Sequence, residues 1–213
     1  MMKNIHIHKK IFVNKLYIIK KMYKTIKESY NPNFEPNKWN NNKFLRLSHN
    51  CYSYFLNDVS DTLIKLYKNE DKEDRKILNP QPGHYCGMTK YVNYKDTTCE
   101  SINKRVLCDN PDIKIINDNE NCDDNFYKGA LRINKGKMYH FYRQDRDGLW
   151  SHKDGGGKVT RVDKGGNIIE DPKRIKKSEY KDFCNYYCIP KNKYRDTNMG
   201  RNDYKRNKMW YKN

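Results

Sequence analysis

Residues 136–153 have the sequence GKMYHFYRQDRDGLWSHK, and this stretch decides the fold. Two runs rich in aromatic residues flank the pair Asp147-Gly148, which supplies the positive φ angles of a tight hairpin turn. The stretch therefore predicts a β-hairpin with one histidine in each arm. Because strand side chains alternate between the two faces of a sheet, His140 and His152 can lie on the same face. Two imidazoles on one face can serve a nucleophile or a metal.

The same alternation assigns the other side chains of the hairpin to a face. In the first arm, Tyr139, Phe141 and Arg143 share one face and His140, Tyr142 and Gln144 share the other. In the second arm, Leu149, Ser151 and Lys153 share one face, and Trp150 and His152 share the other. Strands over 126–134, 138–144 and 149–153 are expected to form an antiparallel meander, with further strands at 159–162 and 183–190.

A candidate nucleophile lies upstream, at Cys51. The apolar residues after it recur at three- and four-residue steps, which is typical of an amphipathic helix; they are Tyr52, Phe55, Val59, Leu63, Leu66 and Tyr67. We expect one helix from Cys51 to residues 68–72. Unpaired N–H groups and the helix dipole in its first turn should lower the pKa of the thiol. His140 would act as the base, His152 would orient His140, and the Cys51 N–H would hold the oxyanion.

The order of these features resembles the NlpC-like branch of the papain-fold cysteine peptidases and amidases. In that branch a cysteine opens a helix, a histidine lies near the start of a later strand, and a polar group follows about one hairpin further on. Here 152 − 140 = 12 residues separate the two histidines. The closer resemblance is to an uncharacterised subgroup from bacteria and giant DNA viruses. Its motifs stand here as Asn50-Cys51-Tyr52, as Pro80-Gln81-Pro82-Gly83 and as residues 140–153, and the likeness spans residues 45–191.

The resemblance implies an α+β fold of the papain-like (NlpC-like) type, with the nucleophile helix packed on a small antiparallel sheet. It implies a thiol hydrolase whose catalytic residues are Cys51, His140 and His152. It also brings the loop over 80–83 near the cleft, which makes His84 a rival base. The other candidates for the substrate cleft are Asn50, Tyr142, Gln144 and Trp150. Plain packing is the alternative interpretation of these side chains, including a Cys51 that is only a small buried hydrophobe.

Composition limits both the core and the partners. Of 213 residues, 36% are hydrophobic and 33% are charged, so the core must be modest, and tyrosine, with 18 copies, supplies much of its area. The net charge is +18, from 44 Lys and Arg against 26 Asp and Glu. Such a charge favours an anionic partner, either a nucleic acid or a membrane surface. An AT-rich genome, which encodes much Lys, Asn, Ile and Tyr, is the other explanation.

Seven cysteines in a chain of this length do not indicate a small disulfide scaffold. If Cys51 is the nucleophile, an even number is left, which permits three disulfides or a zinc site. The six are Cys86, Cys99, Cys108, Cys122, Cys184 and Cys188. Because no Cys-x-x-Cys spacing occurs, we predict no metal site, and we predict no cofactor.

The chain divides into four segments. Residues 1–30 form a basic amphipathic segment that could cap the domain, bind a partner groove or lie on an anionic membrane. Residues 31–43 are an Asn/Pro-rich linker, residues 44–191 form the hydrolase domain, and residues 192–213 form a basic tail. The sequence predicts neither a transmembrane segment nor a signal peptide.

These observations favour a cysteine hydrolase that acts on an amide or ester bond, with a substrate that the sequence does not identify. Thiol acyl transfer uses the same Cys–His chemistry and is an alternative. A second alternative is an inactive papain-like fold that binds nucleic acid or protein through its basic surface and tails. A viral origin would imply the host cytoplasm or the virion.

Overall fold

In the computed structural model of the chain, the structure describes residues 31–69, 80–88 and 94–191. The predicted basic segment at 1–30 and the predicted tail at 192–213 lie outside these residues. Across the part of the chain that is described, no helix has the length and apolar character needed to cross a membrane.

The first half of the described chain is mainly helical. Its α-helices are α1 (Pro36–Asn40), α2 (Lys43–Ser48), α3 (Cys51–Phe55), α4 (Asp61–Asn69) and α5 (Cys99–Asp109), and a 3-10 turn at Tyr94–Asp96 precedes α5. The side chains of Asn42, Asn50 and Thr98 cap the starts of α2, α3 and α5 by accepting hydrogen bonds from first-turn N–H groups. α5 ends at Asp109, before Pro111, because the residue that precedes a proline avoids the helical conformation.

The strands are β1 (Lys114–Ile116), β2 (Phe126–Asn134), β3 (Met138–Gln144), β4 (Trp150–Lys153), β5 (Val159–Thr160) and β6 (Asp182–Pro190), with a 3-10 turn at Pro172–Arg174. All pairs are antiparallel, and the sheet order is β1-β6-β2-β3-β4-β5. The predicted hairpin and meander are confirmed, and the fold is α+β. Only Gly148 of the turn pair takes a positive φ, of 86°. The insertion of β6 between β1 and β2 was not expected from local sequence.

Side chains on the two faces of the sheet form separate core clusters. On the helical face, α3 packs against β3 and β4, and the cluster includes Cys51, Tyr52, Phe55, Phe141, Tyr187 and Ile189. On the other face the cluster includes Ala130, Tyr142, Trp150, Ile169 and Tyr186. The hairpin side chains divide between these clusters as strand alternation predicts.

The predicted single helix after Cys51 is two helices. α3 ends at Phe55, and α4 begins only at Asp61. Between them Asn57 takes a φ of 49°, a left-handed conformation that asparagine tolerates and that ends a helix. The Asn57 Oδ1 atom accepts a hydrogen bond of 2.8 Å from Arg143 on β3, so the break is also tied to the sheet.

Residues 31–43 differ from the predicted linker because they include α1 and pack on the domain. Trp39 is fully buried, and its ring lies 5.0 Å from the ring of Tyr54 in an edge-on contact. The Asn40 side chain bonds to both backbone groups of Val159. Composition suggested a linker because Asn and Pro dominate it, but one buried aromatic side chain is enough to anchor such a segment.

The six cysteines other than Cys51 form three disulfides, which decides between the two alternatives that the sequence left open. The pairs are Cys86–Cys108, Cys99–Cys184 and Cys122–Cys188. Two of them fasten α5, one to the loop over 80–88 and one to β6. Cys51 is the free cysteine.

Gly129 on β2 lets α3 approach the sheet closely. A Cβ atom at this position would lie 2.3 Å from Cε2 of Phe55 and 2.7 Å from Cδ1 of Ile189. No side chain is accommodated at such distances without movement of the helix. The absence of a side chain at Gly129 therefore sets the height of α3, and of Cys51, above the strands.

We predict that Gly129→Ala destabilises the protein by about 1–3 kcal/mol, because the added methyl group overpacks the contact with Phe55. Chemical denaturation monitored by circular dichroism measures the change. The matched control is Gly156→Ala, where the new Cβ meets Leu47 at an ordinary 3.4 Å. Equal effects of the two substitutions would contradict close packing of α3 on the sheet.

Candidate active site

Cys51 is the first residue of α3, as the sequence predicts, and Asn50 holds it there. The Asn50 Oδ1 atom accepts hydrogen bonds from the N–H groups of Tyr52 and Ser53, at 3.0 and 3.2 Å. Its Nδ2 group donates to the Pro80 carbonyl at 2.5 Å. Asn50 therefore positions the start of the helix and joins it to the loop over 80–83, rather than lining a cleft.

The two histidines of the hairpin form a hydrogen-bonded pair, which we call the histidine pair. In the β3–β4 register Tyr142 lies opposite His152, so His140 is the diagonal neighbour of His152 on the same face. His140 Nε2 and His152 Nδ1 are 2.8 Å apart. His152 Nε2 is in turn 3.0 Å from the Val162 carbonyl oxygen. The expectation that both imidazoles share one face is confirmed.

These partners fix the tautomers of the histidine pair. A carbonyl oxygen only accepts, so His152 must carry its proton on Nε2 and donate it to Val162. In neutral His152, Nδ1 is then an acceptor, and His140 must donate to it from Nε2. The remaining ring nitrogen, His140 Nδ1, therefore has a free lone pair. No hydrogen bond from any described residue engages this atom.

Burial keeps both imidazoles neutral. Desolvation, followed by the neighbouring His152, lowers the pKa of His140 well below its ordinary value. Desolvation also lowers the pKa of His152, against a smaller opposing effect of the Val162 hydrogen bond. A neutral His140 with an unprotonated Nδ1 is the form that a general base requires.

The Cys51 thiol does not have the lowered pKa that its position at a helix start predicts. Cys51 is only 7% exposed, and burial raises the pKa of its thiol to about 11. The N–H groups of Phe141 and Tyr52 and the charge of Lys153 act in the opposite direction. The expectation was wrong because α3 has only five residues and desolvation outweighs the dipole of so short a helix.

The structure brings Cys51 to the residue next to His140 but forms no hydrogen bond between the two. The Cys51 side chain packs in the same core cluster as Phe141, the residue after His140, and the Phe141 N–H lowers the pKa of the thiol. That cluster lies on the helical face, whereas the His140 ring lies on the face of Tyr142. The Cys51 sulfur and the His140 imidazole therefore lie near the same residues of β3, one on each face of the sheet.

Aromatic rings enclose the histidine pair. The ring of Tyr180 stacks on His140 at 4.5 Å with an interplanar angle of 11°. The ring of Tyr142 lies 5.0 Å from that of His140 and 5.3 Å from that of His152. His140 is consequently only 1% exposed. Tyr142 thus packs against both imidazoles and is itself buried, so the described part of the structure shows no open cleft at this residue.

Three other predicted cleft residues lie apart from the histidine pair. His84 is buried beside Arg105, where desolvation and that guanidinium lower its pKa to about 4, and neither histidine of the pair bonds to it. The Gln144 side chain bonds to Gly148 and Asn31. Trp150 is 3% exposed within the core cluster of Tyr142 and Tyr186, so it is a core residue.

Sequence reasoning missed two side chains and one carbonyl of the site. Lys153 was placed on the face of Ser151 but given no role, although a lysine at an inward strand position is itself a signal. Tyr180 lies in a charged loop with no motif that would single it out. The Val162 carbonyl belongs to the backbone, so only the fold reveals it.

We predict that His140 and His152 are both neutral Nε2–H tautomers at neutral pH, and that His140 does not titrate near 6.5, where an exposed histidine does. Long-range ¹H–¹⁵N correlation spectra of the imidazoles test this. His49 is the internal control, because its Nε2 accepts from the Ser60 N–H at 3.0 Å and it must therefore be the Nδ1–H tautomer. An Nδ1–H signal for His140 would contradict the assignment.

Comparisons with known proteins find a distant relative. No protein-family model and no solved structure matches the chain. The chain is 27% identical over 157 residues to a protein named insoluble matrix shell protein 1 from Ruditapes philippinarum. The match covers 73% of this chain and 88% of that protein.

Proposed function

We propose that the protein is a cysteine hydrolase of papain-like (NlpC-like) type that cleaves an amide or ester bond. The observation that carries the proposal is the hydrogen-bonded order Val162, His152, His140, which leaves a free lone pair on His140 Nδ1. A structural histidine normally has both ring nitrogens satisfied, as His49 has through Ser48 and Ser60. An unused basic nitrogen on the residue next to Phe141, which packs in the cluster of the free thiol, is instead typical of a catalytic site.

In the proposed reaction, His140 Nδ1 takes the thiol proton of Cys51 as the sulfur attacks the substrate carbonyl carbon. The carbonyl electron pair moves to oxygen and gives a tetrahedral intermediate. When the intermediate collapses, the bond to the leaving amine or alcohol breaks, and that group takes the proton from His140. Water then attacks the thioester, His140 takes its proton, and the thiol is restored as the acid leaves. His152 accepts from His140 Nε2 throughout and stabilises the transient imidazolium.

The backbone N–H of Cys51 is the proposed oxyanion donor. It lies at the start of α3, and it donates to none of the described residues. Because the Asn50 side chain already satisfies the next two N–H groups, that of Cys51 is the one left for a ligand. An oxyanion bound there would develop at the positive end of the helix.

Substrate must displace the cover over the site. Cys51 and His140 are 7% and 1% exposed, and Tyr180 lies over the imidazole. We propose that the segment carrying Tyr180 moves when substrate binds. With both the thiol and the imidazole neutral in the closed state, proton transfer would accompany attack rather than precede it, as in serine hydrolases.

The disulfides bear on where the protein acts. Disulfides persist in oxidising surroundings, and reducing compartments keep thiols free. Three disulfides around the domain therefore favour an oxidising compartment over the host cytoplasm.

A second candidate function is a non-catalytic component of an insoluble matrix. The name of the relative from Ruditapes philippinarum favours it. A shallow depression of about 550 Å³ could bind an anionic matrix polymer, since its lining includes Lys137, Lys164, Lys177 and Lys181. This candidate assigns no task to the free lone pair of His140, and we therefore place it second.

A panel of acyl-dipeptide amides and short-chain esters, with wild type and single variants, tests the hydrolase. We expect Cys51→Ala to abolish turnover and His140→Gln to lower kcat/KM by about 10³-fold, because the base is lost. His152→Gln should cause a smaller loss, because it only orients His140. Added hydroxylamine distinguishes acyl transfer, since an acyltransferase would form the hydroxamate in preference to the acid.

His84→Gln is the matched control for a buried histidine outside the histidine pair, and it should retain wild-type turnover. Loss of turnover in this variant, with retention in His140→Gln, would assign the base to His84 instead. Absence of turnover by folded wild type on every amide and ester, together with tight binding of polyanions, would favour the matrix candidate.

A further inference from the structure

Lys153 at the end of β4 is a buried cation without a carboxylate partner. It is 0% exposed. Its ammonium group donates to the carbonyl oxygens of Arg46 at 2.6 Å and Gly155 at 2.5 Å. No described carboxylate lies within ion-pair distance of it. Burial of an unpaired charge is costly, and such groups are concentrated where function requires them.

The register of the sheet places Lys153 beside Cys51. Because Tyr142 pairs with His152, the next step along the hairpin sets Phe141 opposite Lys153. Phe141 lies in the same core cluster as Cys51, and its N–H favours the Cys51 thiolate. Cys51 and Lys153 therefore both lie near Phe141 of β3, where β4 ends, and the charge of Lys153 acts on the thiol.

Contacts on the helical face of the sheet also place Lys153 near Cys51. Ser151 Oγ bonds to the hydroxyl of Tyr54 on α3 at 2.7 Å. Lys153 is the next residue of β4 on that face, and Cys51 is one helical turn from Tyr54. The lysine also bonds to the Arg46 carbonyl of α2, the helix that directly precedes the Asn50 cap of α3.

We propose that Lys153 is the cation that stabilises the Cys51 thiolate and so sets the reactivity of the nucleophile. The inference deepens the proposed hydrolase, because it names a positioning residue for the same thiol. A positive charge in a poorly solvated site favours the anionic form of a neighbouring group more strongly than it would in water.

The surrounding groups allow Lys153 to act in this way at neutral pH. Burial lowers the pKa of Lys153 to about 8, with Cys51 and Asp154 raising it and Arg46 lowering it. His49 also faces the lysine but is neutral, since burial lowers its pKa to about 3. Asp154 opposes the thiolate, and Lys153 favours it. Below pH 8 the ammonium is charged, and above it the charge is progressively lost.

The test is the rate of alkylation by iodoacetamide from about pH 6 to about pH 10, with modified peptides mapped by mass spectrometry. Cys51 is the free thiol, so the label reports on it. The variants are Lys153→Gln, which keeps amide donors for the Arg46 and Gly155 carbonyls but removes the charge, and Lys153→Arg, which keeps the charge at every pH. Lys158→Gln controls for removal of an exposed positive charge nearby.

We expect Lys153→Gln to react about tenfold more slowly than wild type below pH 8, which corresponds to a shift of about one pKa unit. The difference should narrow above pH 8, and Lys153→Arg should overtake wild type there because it does not lose its charge. Lys158→Gln should match wild type. Thermal unfolding of each variant shows whether it is folded.

Two results would overturn the inference. One is a folded Lys153→Gln with wild-type alkylation rates at every pH, which would leave Lys153 as a tie between α2 and β4. The other is a Lys153→Arg variant whose alkylation rates equal those of wild type above pH 8. This result decides the question if Lys153→Gln does not fold. Alkylation requires neither substrate nor His140, so failure of the hydrolysis screen leaves this test intact.

Discussion

The pairing of Tyr142 with His152 in the β3–β4 hairpin is the constraint on which the rest of the site depends. A slip of one residue would turn every side chain of one arm to the other face. His152 would then leave His140, and Lys153 would leave the side of α3. The observed register instead sets the histidine pair on one face and Lys153 on the other, with Cys51 near Phe141 of β3 on the side of Lys153. Gly129 completes the arrangement by letting α3 approach the sheet at this height.

Much of this arrangement follows from local sequence. The hairpin could be predicted because aromatic runs around a Gly-containing turn leave few alternatives to a β-hairpin, and alternation then assigns His140 and His152 to one face. The start of α3 could be predicted because the apolar three- and four-residue spacing begins directly after Cys51. The α+β class, which the family resemblance implied, agrees with both elements.

Other features depend on distant contacts that no local pattern encodes. The break after α3 depends on the left-handed Asn57 and its bond to Arg143. The insertion of β6 beside β2 and the pairing of six cysteines depend on the whole topology. The direction of the Cys51 pKa shift depends on burial, which a helix-start motif does not reveal. The positions of the Lys153 side chain and of the Val162 carbonyl likewise depend on the fold and not on a local motif.

In the proposed mechanism, His140 Nδ1 activates Cys51 for attack on a carbonyl carbon. The most direct measurement is peptide mapping of the acyl adduct after brief exposure of wild type, Cys51→Ala and His140→Gln to p-nitrophenyl acetate, with the release of nitrophenolate followed in parallel. We expect a burst of nitrophenolate and an acetyl group on Cys51 in wild type only. Acetyl groups confined to lysines, or Cys51 acetylated as fast in His140→Gln as in wild type, would contradict this mechanism.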